Sequence, residues 1–237
     1  MTGALEAVRA RRSWSKVTDA APTRTELLTL VSAAGRVADH SSLRPWRLIE
    51  LRGDDRVRLG EAIAKAQGDD KPSTKPLRAP LLIAVVASYR KSDKVPRWEQ
   101  EAVAAGVAHI LSLLLDEAGW GVIWRTGHYT RSKAVAKAHG LGKDEQLLGW
   151  LYVGGKPAGV RNSRRKALEA RSFLERMPKP AAATEEDDAA AGITAVDVPA
   201  GDVLAVPKSS KKARKKAKKR AKKAKQAKKA KGTSAER

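Results

Sequence analysis

Three short segments of this 237-residue chain each combine arginine with a hydroxyl, imidazole or indole side chain. In chain order their residues are Arg11, Arg12 and Ser13; Arg36 and His40; and Trp124, Arg125 and Thr126. Arginine presents a rigid fork of N–H donors that matches phosphate oxygens, and a nearby hydroxyl can complete the cradle. Indole and imidazole rings add flat surfaces. These residue types suit a phosphorylated, planar, anionic ligand.

The same arginines also have a simpler explanation. The first two segments follow predicted helices, and cations at helix C-termini offset the helix dipole without binding any ligand. Residue types and spacing alone leave both explanations open.

Several other chemistries find no support in the sequence. The absence of cysteine excludes disulfides, thiolate catalysis and cysteine-ligated metals. There is no G-x-G-x-x-G, no complete P-loop and no serine nucleophile elbow. The four histidines lack metal-ligand spacing, and we predict neither a metal site nor a catalytic side chain. We interpret His109, near a predicted apolar helix stripe, as a core or interface histidine.

Hydrophobic patterning predicts the elements that must position these segments. Helices are expected over residues 2–12, 23–37, 98–118 and 132–139 and from residue 54; strands are expected over 47–53, 81–89, 121–125 and 146–155. Thr23 and Glu26 form a capping-box pattern. The continuous apolar run 81–89 suits a strand buried on both faces. About four strands mixed with helices indicate an α+β domain.

Tryptophans and one polar elbow complete this picture. Trp46, Trp98 and Trp150 are interpreted as core anchors. The elbow HSSLRPW, residues 40–46, would carry His40, and its Pro-Trp pair would stiffen the entry into the next strand.

Charge divides the chain into parts. Fifteen of the 48 Lys and Arg residues lie between Lys208 and Lys231 without an acid, and the remainder carries +7 of the net +22. We predict a folded domain over 1–177, a disordered Ala/acid/Pro linker over 178–207 and a Lys/Ala-rich tail over 208–237 that is disordered when free. No apolar run has signal-peptide or membrane-spanning length, and we expect a cytoplasmic protein.

The tail, Lys208–Lys231, is a candidate contact for nucleic acid. Phosphates would neutralise its charge and let its Ala/Lys pattern become helical. No aromatic residue interleaves the lysines, so binding would be independent of base sequence. An anionic membrane or polysaccharide, or a merely solvating role, stays open.

The chain from about residue 4 to 155 resembles the FMN-dependent nitroreductase family, especially its compact putative NAD(P)H nitroreductases. The matching stretches are RRSWSKV, ELLTLVSAAGRVADHSSLRPWRLIEL, APLLIAVVAS, KVPRWEQEAVAAGVAHILSLLLDEAGWGVIWRTG and LLGWLYVGG. The resemblance implies a mixed four- to five-stranded sheet flanked by helices, in an intertwined homodimer that binds FMN in two interface clefts.

The resemblance also implies roles for the three segments. Arg11, Arg12 and Ser13 would hold FMN from one subunit, Trp124, Arg125 and Thr126 would line the same flavin, and Arg36 and His40 would come from the other subunit. Arg12 or Arg125 would stabilise the anionic reduced flavin, and residues 114–119 align with a stretch linked to nicotinamide binding. The chain departs from the family pattern at Ala38 and Arg44.

The activity implied is ping-pong hydride transfer from NADH or NADPH to a small electron-poor acceptor such as a nitroaromatic or a quinone. The flavin would carry this chemistry. The alternative hypothesis is a nucleoid-associated DNA-binding protein whose flavin fold serves mainly as a dimeric scaffold that pairs two tails.

Overall fold

The structure is a computed structural model that describes residues 3–159 and 168–177. The predicted linker and basic tail lie outside the described residues. Contacts divide the chain into one unit over 1–166 and another over 167–237. The described part of the second unit contains a single 3₁₀ turn, Ala170–Ser172.

The first unit contains the predicted helices and strands. Its described helices are α1 (Ala4–Ala10), α2 (Arg24–Ala34), α3 (Asp54–Gln67), α4 (Arg97–Glu117) and α5 (Lys133–Ala138). Its strands are β1 (Trp46–Leu51), β2 (Leu81–Ser88), β3 (Trp120–Arg125) and β4 (Glu145–Gly155). The capping box at the start of α2 is confirmed, and α2 ends three residues earlier than predicted because Gly35 caps it. The α+β class is therefore confirmed.

The four strands form one sheet in the order β1-β2-β4-β3. Each pairing among the described residues is antiparallel. The sheet has four strands, within the expected four to five, but a mixed sheet would also need a parallel pairing, and none occurs among the described strands. β1 and β3 are the two edge strands, so the end of β3 is open on one side.

The core lies on both faces of the sheet. Every residue of β2 is buried, as its apolar run predicts. On one face α2 and α4 pack against the sheet, and α4 buries Val107, Leu111 and Leu115 completely. On the other face α3 and α5 cover a second cluster that includes Trp150. Burying each large aliphatic side chain is worth about 1.5–3 kcal/mol, so this contact fixes the position of α4.

Two of the three tryptophans interpreted as core anchors are confirmed. Trp46 packs against the cluster under α4, and Trp150 is fully buried. The interpretation of Trp98 is wrong, because its side chain is 70% exposed. It lies in the first turn of α4, on the opposite side of the helix from the buried Val107.

Trp150 is held by a buried histidine. Its indole Nε1–H donates to Nε2 of His139 at 3.0 Å, and Nδ1 of His139 lies 2.8 Å from the carbonyl oxygen of Val135. Because an indole nitrogen only donates, Nε2 must accept, and the ring is therefore neutral with its proton on Nδ1. Burial lowers the pKa of His139 below its usual 6.5, while its bond to Val135 and the charge of Arg47 act less strongly.

The depressed pKa of His139 makes stability depend on pH. Below pH 6.5 the unfolded chain binds a proton that the folded protein excludes, so this contribution to stability is lost as pH falls. In the variant His139→Gln the glutamine stays neutral and can still accept from Trp150. We therefore expect the wild type to be more stable than this variant at about pH 7.5, and we expect the difference in unfolding free energy to shrink toward about pH 5.5. Urea unfolding followed by circular dichroism measures it. An advantage that stays constant across this range would contradict the assignment.

Candidate functional site

The segment after α1 runs along the open edge of the sheet beside β3. The amide of Trp14 donates to the carbonyl of Val122 at 3.0 Å, and the amide of Thr18 donates to Gly155 at 2.9 Å. The bridge between Thr18 and Gly155 is antiparallel to β4, and β3 is itself antiparallel to β4. Before Trp14, the side chain of Arg12 lines a cleft with Asp116 and Lys156. The first predicted segment therefore leads directly into a hydrogen bond with β3, the strand that ends with Trp124 and Arg125.

Glycines make this close approach feasible. A Cβ on Gly154 would lie 2.6 Å from the carbonyl oxygen of Thr18 and 2.7 Å from Cγ2 of Val17. A Cβ on Gly121 would lie 2.9 Å from Cγ1 of Val17 and 3.2 Å from Cβ of Trp14. Neither position has room for a side chain, so the segment seats directly on the backbone of β3 and β4.

Among the three residues Arg11, Arg12 and Ser13, here called the triplet, Arg12 already stacks on a neighbouring ring. Its guanidinium carbon lies 4.0 Å from the centroid of the Trp14 ring, in a cleft of about 350 Å³ that Asp116 and Lys156 also line. Arg11 has extended backbone angles, φ −54° and ψ 134°. Neighbouring side chains of an extended segment point to opposite sides, so Arg11 and Ser13 are expected to face away from this cleft.

The end of β3 presents its side chains on opposite faces. Trp124 packs with the cluster under α4, and its ring meets the ring of His109 edge-on with centroids 5.1 Å apart. Arg125 lies on the other face, with its guanidinium carbon 5.5 Å from the Tyr152 ring centroid. One ligand can therefore meet both only by lying across the end of this edge strand.

Two buried polar atoms at this end lack partners. Nε1 of Trp124 and Nε of Arg125 are buried without a hydrogen-bond partner among the described residues. Leaving such a donor unsatisfied costs about 1–3 kcal/mol, which favours an acceptor supplied from elsewhere. Beneath Arg125, burial raises the pKa of Tyr152 to about 12, so its phenol stays neutral and adds no negative charge beside the guanidinium.

His109 is not a core residue. Its side chain is exposed, and its ring makes an edge contact with Trp124. The core alternative is therefore wrong, because His109 lies beside the buried stripe of α4, and the interface alternative stays a prediction.

The third segment reaches α4 from the other side. Val37 follows Arg36 and packs so closely on Gly106 that a Cβ there would lie 2.8 Å from Cγ2 of Val37. Arg36 itself is exposed. Nδ1 of His40 lies 3.1 Å from Oε2 of Glu99 near the start of α4.

The elbow after His40 is strained. Ser41, Ser42 and Arg44 have positive φ angles of 62°, 50° and 48°. Such conformations cost about 1–3 kcal/mol each in non-glycine residues, and they concentrate at functional sites. The carboxylate of Asp39 closes the elbow by accepting the amide of Arg44 at 2.7 Å.

Helix α4 therefore contacts each predicted segment or a residue next to it. Asp116 near its end bonds to Trp14, His109 meets Trp124, Gly106 seats Val37, and Glu99 holds His40. Sequence reasoning missed the roles of Trp14 and Asp116. The two-residue spacing of Arg12 and Trp14 could have indicated the stacked pair, whereas no local pattern ties Asp116 to Trp14, 102 positions away.

The described residues also limit other chemistries. Among them, no group of three or more His, Asp or Glu side chains could hold a metal ion. No helix in the described part of the chain is both long and apolar enough to cross a bilayer.

The fold and the candidate site define an α+β protein with an arginine- and tryptophan-rich region at the edge of an antiparallel sheet. The chain belongs to the Nitroreductase family, whose sequence model matches residues 8–155.

Individual relatives agree with this family. A protein of Escherichia coli strain K12 named "Putative NAD(P)H nitroreductase YdjA" is 38% identical over 159 residues, which cover 64% of this chain and 87% of the relative. A Haemophilus influenzae protein named "Putative NAD(P)H nitroreductase" is 27% identical over 183 residues, which cover 72% of this chain and 97% of the relative.

Solved structures share the fold. A nitroreductase-like family protein from Bacillus cereus superposes with a TM-score of 0.65 at 21% identity, covering 76% of this chain and 98% of that one. NfnB from Sphigopyxis sp. strain HMH, described as an FMN and NADPH-dependent nitroreductase, gives a TM-score of 0.59 at 19% identity, covering 75% of this chain and 100% of that one.

The seat of the N-terminal segment can be tested at Gly154. We expect Gly154→Ala to lower the free energy of unfolding by about 1–3 kcal/mol, because its new methyl group displaces the Thr18 carbonyl. Gly142→Ala is the matched control, since the nearest atom to its Cβ is 3.8 Å away, and it should change stability by less than about 0.5 kcal/mol. Equal losses in urea unfolding would show that the segment is not seated as described.

Proposed function

We propose that the protein is an FMN-dependent oxidoreductase that takes hydride from NADH or NADPH and reduces a small electron-poor acceptor, such as a nitroaromatic or a quinone. Membership of the Nitroreductase family and 38% identity to the E. coli relative support an NAD(P)H-dependent oxidoreductase. The description of NfnB as FMN and NADPH-dependent supports the pair of cofactors.

The observation that carries the proposal is the unpartnered arginine at the end of β3. Arg125 is half-buried, and its buried Nε has no acceptor among the described residues. Other arginines of the domain have partners for their guanidinium groups: Arg47 makes two 2.7 Å bonds to Glu145, and Arg56, whose Nε is also unpartnered among the described residues, donates through Nη1 to the carbonyl of Ala79 at 2.7 Å. Arg125 therefore fits an anionic group from outside the chain.

The residues present fit FMN. Arg11 and Ser13 would hold its phosphate, as a cation and a hydroxyl beside each other on one side of an extended segment. Trp124, Arg125 and Thr126 would line it at the open edge, and Arg36 and His40 would approach it from a second subunit. The bound flavin supplies the redox chemistry, accepting a hydride and passing electrons to the acceptor.

The side chains would position ligands and balance charge. Because Arg12 is stacked on Trp14, Arg125 is the better candidate for stabilising the negative charge of reduced FMN. No side chain needs to act as a nucleophile, and none is assigned that role. A homodimer agrees with the exposure of Trp98 and His109 on α4, which leaves aromatic surface for a second copy.

The spectrum of the purified full-length protein tests this function. We expect flavin absorbance that NADPH or NADH bleaches without oxygen and that a nitroaromatic restores. Arg125→Ala should lower the flavin midpoint potential, by about 30 mV for each tenfold loss of preference for the reduced form. Arg58→Ala, an exposed arginine on α3 paired with Asp55, is the control and should leave the potential unchanged.

A colourless protein that cannot take up added FMN would contradict the proposed function. If that protein still retarded DNA, the alternative of a nucleoid-associated scaffold would replace it.

A second proposal concerns the basic tail. We propose that residues 208–231 bind nucleic acid without base specificity, because they hold fifteen cations, no acid and no aromatic residue. Such binding rests on release of counterions from phosphates and weakens steeply with salt.

Gel retardation of duplex DNA by the full chain, at a series of salt concentrations, measures the affinity of the tail for nucleic acid. If it neutralises ~8 phosphates, the plot of log affinity against log salt should have a slope of about −7. A chain ending at residue 207 should lose most of this affinity and keep its oxidoreductase activity. Equal DNA binding by the two chains would contradict the assignment of the tail.

A further inference from the structure

Trp14 is anchored at three points beside the proposed FMN site. Its indole Nε1–H donates to Oδ1 of Asp116 at 3.1 Å, and its amide donates to Val122. Its Cβ and Cγ lie 3.2 and 3.3 Å from the position that a Cβ on Gly121 would occupy. These contacts fix both the ring and the backbone immediately after Ser13.

Asp116 is itself held in place by a cation. Nζ of Lys156 lies 3.2 Å from its Oδ1 and donates to its backbone carbonyl at 2.7 Å. The side chain of Asp116 is only 10% exposed, so this ion pair is shielded from solvent. Lys156 also complements the negative end of α4, where the last carbonyls lack helical partners.

The anchored ring orients the arginines before it. Arg12 stacks on Trp14, which commits its guanidinium to the cleft side of the segment. Arg11 has extended backbone angles, and side chains of an extended chain alternate, so we expect Arg11 and Ser13 to face the other side. Without the contacts that hold Trp14, the residues Arg11, Arg12 and Ser13 could rotate, and Arg11 and Ser13 would no longer be placed to donate together to a phosphate.

We propose that Asp116 is a positioning residue that holds Trp14, and through it Arg11 and Ser13, in the arrangement that binds the FMN phosphate. This inference rests on the proposed function, and it assigns the role to a residue outside the set that we expect to contact FMN. Neither Trp14 nor Asp116 belongs to the two core clusters, so truncating them leaves the core intact.

Titration of flavin-stripped, full-length protein with FMN and with riboflavin tests the proposal. We expect Asp116→Ala and Trp14→Phe each to raise the Kd for FMN at least tenfold, because both remove the indole hydrogen bond. The Kd for riboflavin, which lacks the phosphate, should change less than threefold. Asp116→Asn retains an oxygen acceptor for Trp14 and should keep most of the FMN affinity.

The matched control is Asp144→Ala, which removes an exposed acid bonded to Arg97 at the other end of α4 and should leave both Kd values unchanged. If Asp116→Ala lowers the melting temperature but keeps the wild-type FMN Kd, or weakens riboflavin equally, the positioning role is refuted while the proposed function stands. If the wild type binds no FMN, the proposed function fails and the positioning role fails with it.

Discussion

The packing of helix α4 against strand β2 is the constraint on which the site depends. β2 is buried along its whole length, and α4 buries Val107, Leu111 and Leu115 against the same face of the sheet. Once that contact forms, the positions of Glu99, Gly106, His109 and Asp116 along the helix are set by its rise of about 1.5 Å per residue. Each of these residues contacts a predicted segment or the residue next to it, so the hydrophobic core fixes where those segments lie along α4.

The site uses packing to leave selected polar groups unpaired. Arg47 bonds to the carboxylate of Glu145 through both Nε and Nη2, whereas Arg125 keeps a buried Nε without a partner among the described residues. The elbow that carries His40 keeps three non-glycine residues at positive φ. Both features cost stability in the folded chain, and both become understandable if a ligand or a second subunit completes them.

The amino-acid sequence was sufficient to predict the elements and the class of the fold. Apolar periodicity located the main helices and strands within a few residues, since buried faces impose it directly. It did not predict that Trp98 and His109 are exposed, because an apolar pattern locates the buried stripe of α4 without deciding the burial of each residue beside it. The hydrogen bond between Trp14 and Asp116 could not be predicted from the sequence, because it joins residues 102 positions apart that only the folded path of the chain brings together. The expectation of a mixed sheet came from the family resemblance and not from the residue pattern. It differs from the structure, in which the described strands pair only antiparallel.

The central claim is that α4 gathers separate segments into one phosphate-binding, flavin-holding site. A crystal structure of the full chain grown with FMN tests it most directly. The account predicts phosphate oxygens at hydrogen-bonding distance, about 3 Å, from both Arg11 and Ser13, with the flavin across the end of β3 and His40 of a second copy beside it. A phosphate bound instead in the cleft between Arg12 and Lys156, or a flavin enclosed by one copy alone, would contradict it.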